Sequence, residues 1–294
     1  MDEVHYLADR FRGAVWEETL IHLPESVQIA ALSATVSNAE EFGDWLHTIR
    51  GNTKVIVTEK RPVPLYQHVL MGDKLLELFN ENGKVNPQVL REERASFRNV
   101  RRDKWREDRS QRLTRAEVIE RLDREQLLPV IVFIFSRGAC DQAVKHCLHS
   151  GLRLTSKEEK EEILAIIEDR VVGLSEADLS VLGFTDWCEA LSRGIAAHHA
   201  GLLPTFKEII EDLFQKNLIK VVFATETLAL GINMPARTVL LERLSKWNGE
   251  GHVPITPGEY TQLTGRAGRR GIDIEGNAVI LWSNDIDAST AAGL

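Results

Sequence analysis

The sequence predicts an α/β fold, a doubly wound parallel sheet with flanking helices, and three observations carry that prediction. Val130–Phe135 and Ile219–Phe223 are continuous apolar runs, the pattern of strands buried on both faces. Between them, starting at Pro204, the residues Phe206, Ile209, Ile210, Leu213 and Phe214 recur on one helical face. Strands alternating with such helices form a parallel sheet whose ligands bind at the C-terminal strand ends.

Element by element, Val27–Leu32 reads as a short strand ending in small residues. Asn38 is a candidate cap for the next helix, with Glu40 and Glu41 near its positive end. Phe42, Trp45, Leu46 and Ile49 give that helix one apolar face, and Gly51 ends it. Thr53–Thr58 is a further strand candidate. Residues 60–128 change character: Pro62 and Pro64 interrupt regular structure, and Arg91–Arg115 holds ten Lys/Arg against five Asp/Glu. This stretch reads as a linker with a basic insert, either a solvated run or an arm facing nucleic acid. From Pro129 the α/β rhythm returns, with weaker strand candidates at Thr238–Leu241 and Ala278–Trp282.

The 294 residues allow two domains at a prior of about 150 residues each. Hydrophobic residues make up 43% and charged residues 27%, a globular balance. The net charge of −8 excludes a uniformly basic nucleic-acid coat, although the +5 of residues 91–115 leaves room for a local basic surface. Cys140, Cys147 and Cys188 show no CxxC spacing, which fits a reduced, cytoplasmic protein better than a disulfide or zinc framework. The absence of an apolar run of about 18 residues or of a basic, apolar leader gives no reason to expect membrane attachment.

Four short motifs carry chemistry. Asp2-Glu3-Val4-His5 offers adjacent carboxylates, one suited to hold Mg²⁺ and the next to orient or deprotonate a water; a charged terminus in solvent is the other reading. Ser33-Ala34-Thr35 follows a strand candidate, as an ordinary turn or as hydroxyls that sense those carboxylates. Ala224–Pro235 (ATETLALGINMP) follows the Ile219–Phe223 run, where hydroxyls and free N–H groups at a helix start suit a phosphate backbone. Gln262–Gly271 (QLTGRAGRRG) brings three glycines and places Arg266 and Arg269 three apart, so both can face one phosphate.

In this order the four motifs resemble motifs II, III, V and VI of superfamily two helicases, and Val130–Arg137 (VIVFIFSR) looks like motif IV. DEVHYLADRFRGAVWE, TETLALGINMPA and QLTGRAGRRGID are phrased like the superkiller/antiviral DExH-box group and its bacterial HelY-type members. The resemblance covers essentially the whole chain and implies RecA-like parallel sheets: a partial first lobe over 1–59, then a near-complete second lobe, the helicase C-terminal domain, over 129–294. It implies ATP and Mg²⁺, and 3′-to-5′ movement on single-stranded RNA or an RNA duplex with a 3′ overhang. It makes Asp2 the metal carboxylate, Glu3 the base, and Arg266 and Arg269 the residues reaching the γ-phosphate, Arg269 as arginine finger. His5, Gln262, Ser33 and Thr35 would couple hydrolysis to movement; Gly231, Gly265 and Gly268 would line the nucleotide. Thr225, Glu226, Thr227 and Arg137 would contact RNA. His198 and His199, in IAAHHAGLLP, fit either a buried structural role or lobe closure and RNA contact.

One departure matters. The resemblance implies a G-x-x-x-x-G-K-[ST] phosphate loop roughly a hundred residues before the D-E-x-H, and the only Gly-Lys pair here, Gly83-Lys84, is followed by Val85. The chain is therefore expected to be a fragment truncated at both ends, inactive in ATP turnover alone and needing a first-lobe segment in cis or in trans. A DNA repair-type helicase fragment and a non-catalytic lobe that binds nucleic acid or protein remain the rival readings.

Overall fold

The computed structural model describes residues 1–294 apart from 5–6, 8–12, 34–38, 59, 103–112, 172–182, 230–233, 248 and 284–285. The chain divides into two compact units, one of Met1–Arg61 with Thr256–Gln262 and one of Pro62–Ile255 with Leu263–Leu294.

In the first unit, α1 (Gly13–His22) and α2 (Ala39–Arg50) are the helices of its N-terminal part. The apolar face expected of α2 is present, with Leu46 buried and Phe42 stacked on Trp45 at 5.9 Å. Gly51 ends the helix at φ +77°, a conformation glycine adopts without a Cβ penalty. The Arg50 guanidinium then donates to the carbonyls of Leu23, Pro24 and Val27, tying the connecting loop to α2. Two strand expectations are corrected here. Thr53–Thr58 pairs with no strand among the described residues and leaves Ile56 79% exposed; β propensity without a hydrogen-bonding neighbour does not make a strand. In Val27–Leu32, Val27 lies in a turn, its N–H donating to the Pro24 carbonyl at 3.0 Å, and Ala30 and Leu32 bond the N-terminal residues, but not as a regular ladder. The Leu32 N–H donates to the Met1 carbonyl (2.9 Å) and its carbonyl accepts from the Val4 N–H (3.1 Å). A regular parallel bridge would span two residues rather than three. The extra residue is absorbed by Glu3 at φ +54°, a bulge.

The second unit holds a seven-stranded sheet. Its strands are β1 (Leu65–Met71), β2 (Lys74–Glu77), β3 (Val130–Phe133), β4 (Ile195–His198), β5 (Val221–Ala224), β6 (Thr238–Leu241) and β9 (Gly276–Leu281), in the order β2-β1-β9-β6-β3-β5-β4 and all parallel except β2. A separate hairpin pairs β7 (Ser245–Trp247) with β8 (His252–Pro254). The helices are α3 (Pro87–Arg102), α4 (Arg115–Arg124), α5 (Arg137–His149), α6 (Lys157–Arg170), α7 (Phe184–Ser192), α8 (Pro204–Gln215) and α10 (Ala288–Ala292); α9 (Pro257–Thr264) carries the chain from one unit to the other.

The continuous apolar runs are strands because both their faces are covered. Val130, Val132, Val221, Phe223, Ile195 and Ala197 pack with Val118, Ile119 and Leu122 of α4 and Cys140, Ala143 and Cys147 of α5. The alternate residues Ile131, Phe133 and Val222 are equally buried on the other side. On α8 the five apolar residues singled out from the sequence are all buried, and Phe206 stacks on Trp187 of α7 at 4.3 Å. Burial pushes the thiols of Cys140 and Cys147 up, to about 12 and about 11, so they serve as core side chains.

Residues 62–128 are more than a linker: β1 runs parallel to β9, β2 returns along β1, and α4 closes over the core. The polar Gln67 and His68 hid β1 from an apolar-run search; His68 instead bonds the Asn277 side chain at 2.9 Å. Among the described residues no helix is long and apolar enough to cross a membrane, and no cluster of three metal-ligating side chains occurs.

Candidate nucleotide and nucleic-acid sites

The strand ends of β3, β5 and β4 lie side by side, with Phe133 and His198 both opposite Ala224. The residues that follow these strands therefore emerge at one edge of the sheet. After β3, Ser136 caps α5, its hydroxyl accepting from the Ala139 N–H, and Arg137 is exposed at the first helical position. After β4, the buried His199 places Nε2 3.0 Å from Asp141 Oδ1, and the Gly201 N–H donates to Nδ1 at 3.1 Å. Because Nδ1 accepts, the ring proton sits on Nε2 and is donated to Asp141. A Cβ on Gly201 would stand 3.1 Å from the His199 ring and 3.8 Å from Arg137 Cδ, so the glycine lets the two side chains share this corner.

After β5, the Thr225 and Thr227 hydroxyls are 2.9 Å apart, and Glu226 pairs with Lys246 at 2.7 Å. A 3₁₀ turn, Glu226–Ala229, follows. Thr225, Glu226, Thr227 and Arg137 are thus brought to one edge of the sheet. His198 is held differently: its Nε2 bonds Glu211 at 2.8 Å, while its Nδ1 is buried with no hydrogen-bond partner among the described residues. Burial pushes its pKa down, against the pull of Glu211, and keeps the ring neutral.

The arginine motif is wired to this edge. The Arg266 Nη2 donates to the Ala229 carbonyl at the end of the 3₁₀ turn. Around it, the Ala236 N–H donates to the Arg266 carbonyl (2.9 Å) and the Gly268 N–H to the Ala236 carbonyl (2.8 Å). Arg269 is bound bidentately, Nε and Nη2 each 2.8 Å from an oxygen of Asp273, with Nη1 3.3 Å from Asn217. Burial works to raise the Asp273 carboxyl, but hydrogen bonds from the Arg269 side chain and backbone outweigh it and hold it below the usual range. The carboxylate occupies the Nε edge of the guanidinium; of its five N–H donors these contacts use three, and the Nη end keeps donors for an anion. Gly265 is exposed. Gly268, at φ +89°, owes its place to packing: a Cβ there would stand 2.7 Å from Val63 and 3.3 Å from the Gly276 backbone. The close approach it permits is within the protein.

In the first unit, the Leu32 bonds bring Asp2 and Glu3 alongside Ser33. Asp2 is exposed and its Oδ1 accepts from the Glu3 N–H at 2.9 Å. Gln262 has a buried amide nitrogen with no partner among the described residues. His5, Thr35, Gly231 and the Asn38 cap lie outside the described residues.

Sequence reasoning missed the partners that hold these groups: Asp273 for Arg269, Asp141 for His199, Glu211 for His198. Asp273 was legible, four residues after Arg269 on one turn. Asp141 and Glu211 were not, since they reach their histidines only through the strand–helix packing.

Residues 143–271 match the helicase conserved C-terminal domain. The probable helicase HelY of Mycobacterium leprae is 56% identical over 307 residues, which is 98% of this chain and 33% of that protein. Superkiller complex protein 2 of Homo sapiens is 40% identical over 95% of this chain and 24% of its own length. The chloroplastic DExH-box ATP-dependent RNA helicase DExH15 of Arabidopsis thaliana is 39% identical over 96% of this chain and 27% of its own length. The chain spans about a third of the mycobacterial relative and about a quarter of the other two. With likeness running along nearly its full length and the helicase domain in its second unit, the chain belongs to the superfamily two helicases of the superkiller type.

Proposed function

We propose that this chain supplies the nucleotide-sensing arginines and part of the strand-gripping surface of an ATP-dependent RNA helicase that moves 3′ to 5′ on single-stranded RNA or from a 3′ overhang. The observation that carries the reading is the link between the two motifs: Arg266 holds the Ala229 carbonyl of the turn that begins with Glu226. A change at the arginines is transmitted to Thr225 and Thr227 through that bond and through the backbone bonds at Ala236.

In this reading Arg269, preset by Asp273, offers its Nη end to the γ-phosphate as the charge there grows, and Arg266 acts beside it. Gly265 allows the backbone near them to approach the nucleotide, and Gly231 belongs to the same lining. Asp2 would hold Mg²⁺, Glu3 would orient the attacking water and take its proton, and Ser33 and Thr35 would sense the carboxylates. The exposed Asp2 carboxylate beside a bulged Glu3 fits a hydrated cation. When bound, Mg²⁺ would neutralise charge on the phosphates. Gln262, whose buried amide nitrogen awaits an acceptor, couples the cycle together with His5. Arg137, Thr225, Glu226 and Thr227 take the RNA backbone, which makes the helicase a cytoplasmic RNA-remodelling motor completed by a first-lobe segment with a phosphate loop.

The test is ATP turnover and duplex unwinding by the chain joined to such a segment, with RNA and DNA duplexes carrying 3′ or 5′ overhangs. RNA-stimulated turnover and unwinding from the 3′ overhang are expected. Stimulation by DNA and not by RNA would overturn the RNA assignment, and unwinding from the 5′ overhang alone would overturn the direction.

A further inference from the structure

Arg237, the residue just ahead of β6, is a further guanidinium beside the arginine motif and has no part in the machinery above. Ala236 bridges Ala267 in parallel, and the Arg237 carbonyl accepts the Asn277 N–H at 3.0 Å. The residue is thus fixed between the arginine loop on one side and β9 on the other. Its side chain is partly buried, and its Nε is buried with no hydrogen-bond partner among the described residues. A buried, unpaired donor on a charged group is costly, so an acceptor that comes free nearby would be taken up. Asp273 carries such an acceptor. Burial raises its carboxyl, the bonds from Arg269 and the Arg269 charge lower it, and the charge of Arg237 adds to the lowering. Two guanidinium groups therefore act on one carboxylate.

In the structure Arg269 holds that carboxylate. Asp273 Oδ2 accepts from the Arg269 backbone N–H at 2.9 Å and from Nε at 2.8 Å, and Oδ1 accepts from Nη2 at 2.8 Å. Drawing the Arg269 side chain outward to a phosphate would break the two guanidinium bonds and keep the backbone bond. The backbone stays because the loop is pinned by its bonds to Ala236 and because Gly268 packs on Val63. Oδ1 would then be left bare on a side chain only 5% exposed. A buried carboxylate that loses its cation is strongly destabilising, which opposes the movement of Arg269 unless a second cation takes over.

We propose that Arg237 is a positioning residue for Arg269: it takes the Asp273 carboxylate as the Arg269 side chain moves to a phosphate, so that Arg269 is released without stranding a buried charge. This role rests on the reading of Arg269 as the nucleotide-sensing arginine and adds how its release is controlled. Arg237 itself touches neither nucleotide nor RNA in this role; it acts through Asp273.

The test is a thermal-melting cycle on the 294-residue chain, Arg237→Gln against Asp273→Asn, run once with Arg269 present and once with Arg269→Ala. With Arg269 present the two losses should nearly add. With Arg269→Ala the double variant should fall short of the sum by about 2–6 °C, the coupling of residues in contact at the melting shift usual for this size, because Arg237 then holds the carboxylate alone. Additive losses in both backgrounds overturn the proposal. Coupling of equal size in both overturns it too, since Arg237 would then be a standing structural partner. Where a multiple variant does not fold, steady-state turnover by the chain completed with a phosphate-loop segment decides. Arg237→Gln should lower kcat about 10–100-fold, the range for losing a partner that orients a functional group, with KM for ATP and RNA affinity retained. Arg237→Lys, which keeps the charge, should recover most of that loss. An unchanged kcat, or a loss confined to KM, overturns the proposal. If Arg269→Ala leaves turnover intact, the nucleotide reading fails and this role with it. If Arg269→Ala is inactive while the Arg237 and Asp273 losses are additive, only the role of Arg237 fails.

Discussion

Replacing Asp273 by Asn removes a charge without changing the size of the side chain. The wild-type carboxylate is 5% exposed and accepts two side-chain bonds and one backbone bond from Arg269, whose side chain is 16% exposed. Removing one partner of a fully buried ion pair costs about 3–5 kcal/mol, and charge-assisted hydrogen bonds contribute about 1.5–3 kcal/mol each. Because the Arg269 end remains open to water, a loss of about 2–3 kcal/mol is expected. At about 2–4 °C per kcal/mol for a domain of this size, the melting temperature should fall by roughly 4–12 °C at pH 7. The pH dependence has a definite sign. Asp273 titrates below its ordinary value of 3.8 in the folded state, so its contribution is complete above that value and disappears as pH falls through the folded pKa. The gap between wild type and variant should stay constant from pH 7 to 5 and narrow below 4. A double-mutant cycle with Arg269→Ala isolates the pair. Additive losses in the cycle, or no shift in melting at pH 7, would refute the claim that Asp273 sets Arg269 in place.

Two further perturbations follow from the same contacts. Gly268→Ala puts a methyl group 2.7 Å from Val63 on a backbone at φ +89°, and a loss of about 2–4 kcal/mol is expected from strain and overpacking together; unchanged melting would show that the loop yields freely. His198 is neutral when folded, its pKa driven down by burial from 6.5, so it favours the folded state above that value and opposes it as pH falls. Melting of wild type should therefore decline from pH 7 to 5 more steeply than that of His198→Asn, and parallel declines would place the pH sensitivity elsewhere.

Much of the second unit was legible because its central strands are unbroken apolar runs, a pattern that follows from burial on both faces. β3, β5, β6 and β9 were found in this way. β4 was not, since its Ile-Ala-Ala-His sequence reads as the start of a histidine motif, and β1 was obscured by Gln67 and His68. The first unit was misread for the opposite reason: Thr53–Thr58 has the composition of a strand, and composition alone does not supply a hydrogen-bonding neighbour. The arginine motif was legible as a cluster of charge, with its geometry hidden. That Arg266 turns to a carbonyl and Arg269 to a carboxylate depends on the turn after β5 and on Asp273, contacts that residue spacing alone does not fix.

The most direct measurement is RNA-stimulated ATP turnover by the chain completed with a phosphate-loop segment, wild type against Arg269→Ala, alongside RNA affinity without nucleotide. The expected result is a fall in turnover of about 10³–10⁵-fold, the range for loss of an arginine finger, with RNA affinity retained. Turnover that survives the substitution, or a loss explained wholly by weaker RNA binding, would contradict the assignment of Arg269 to the nucleotide.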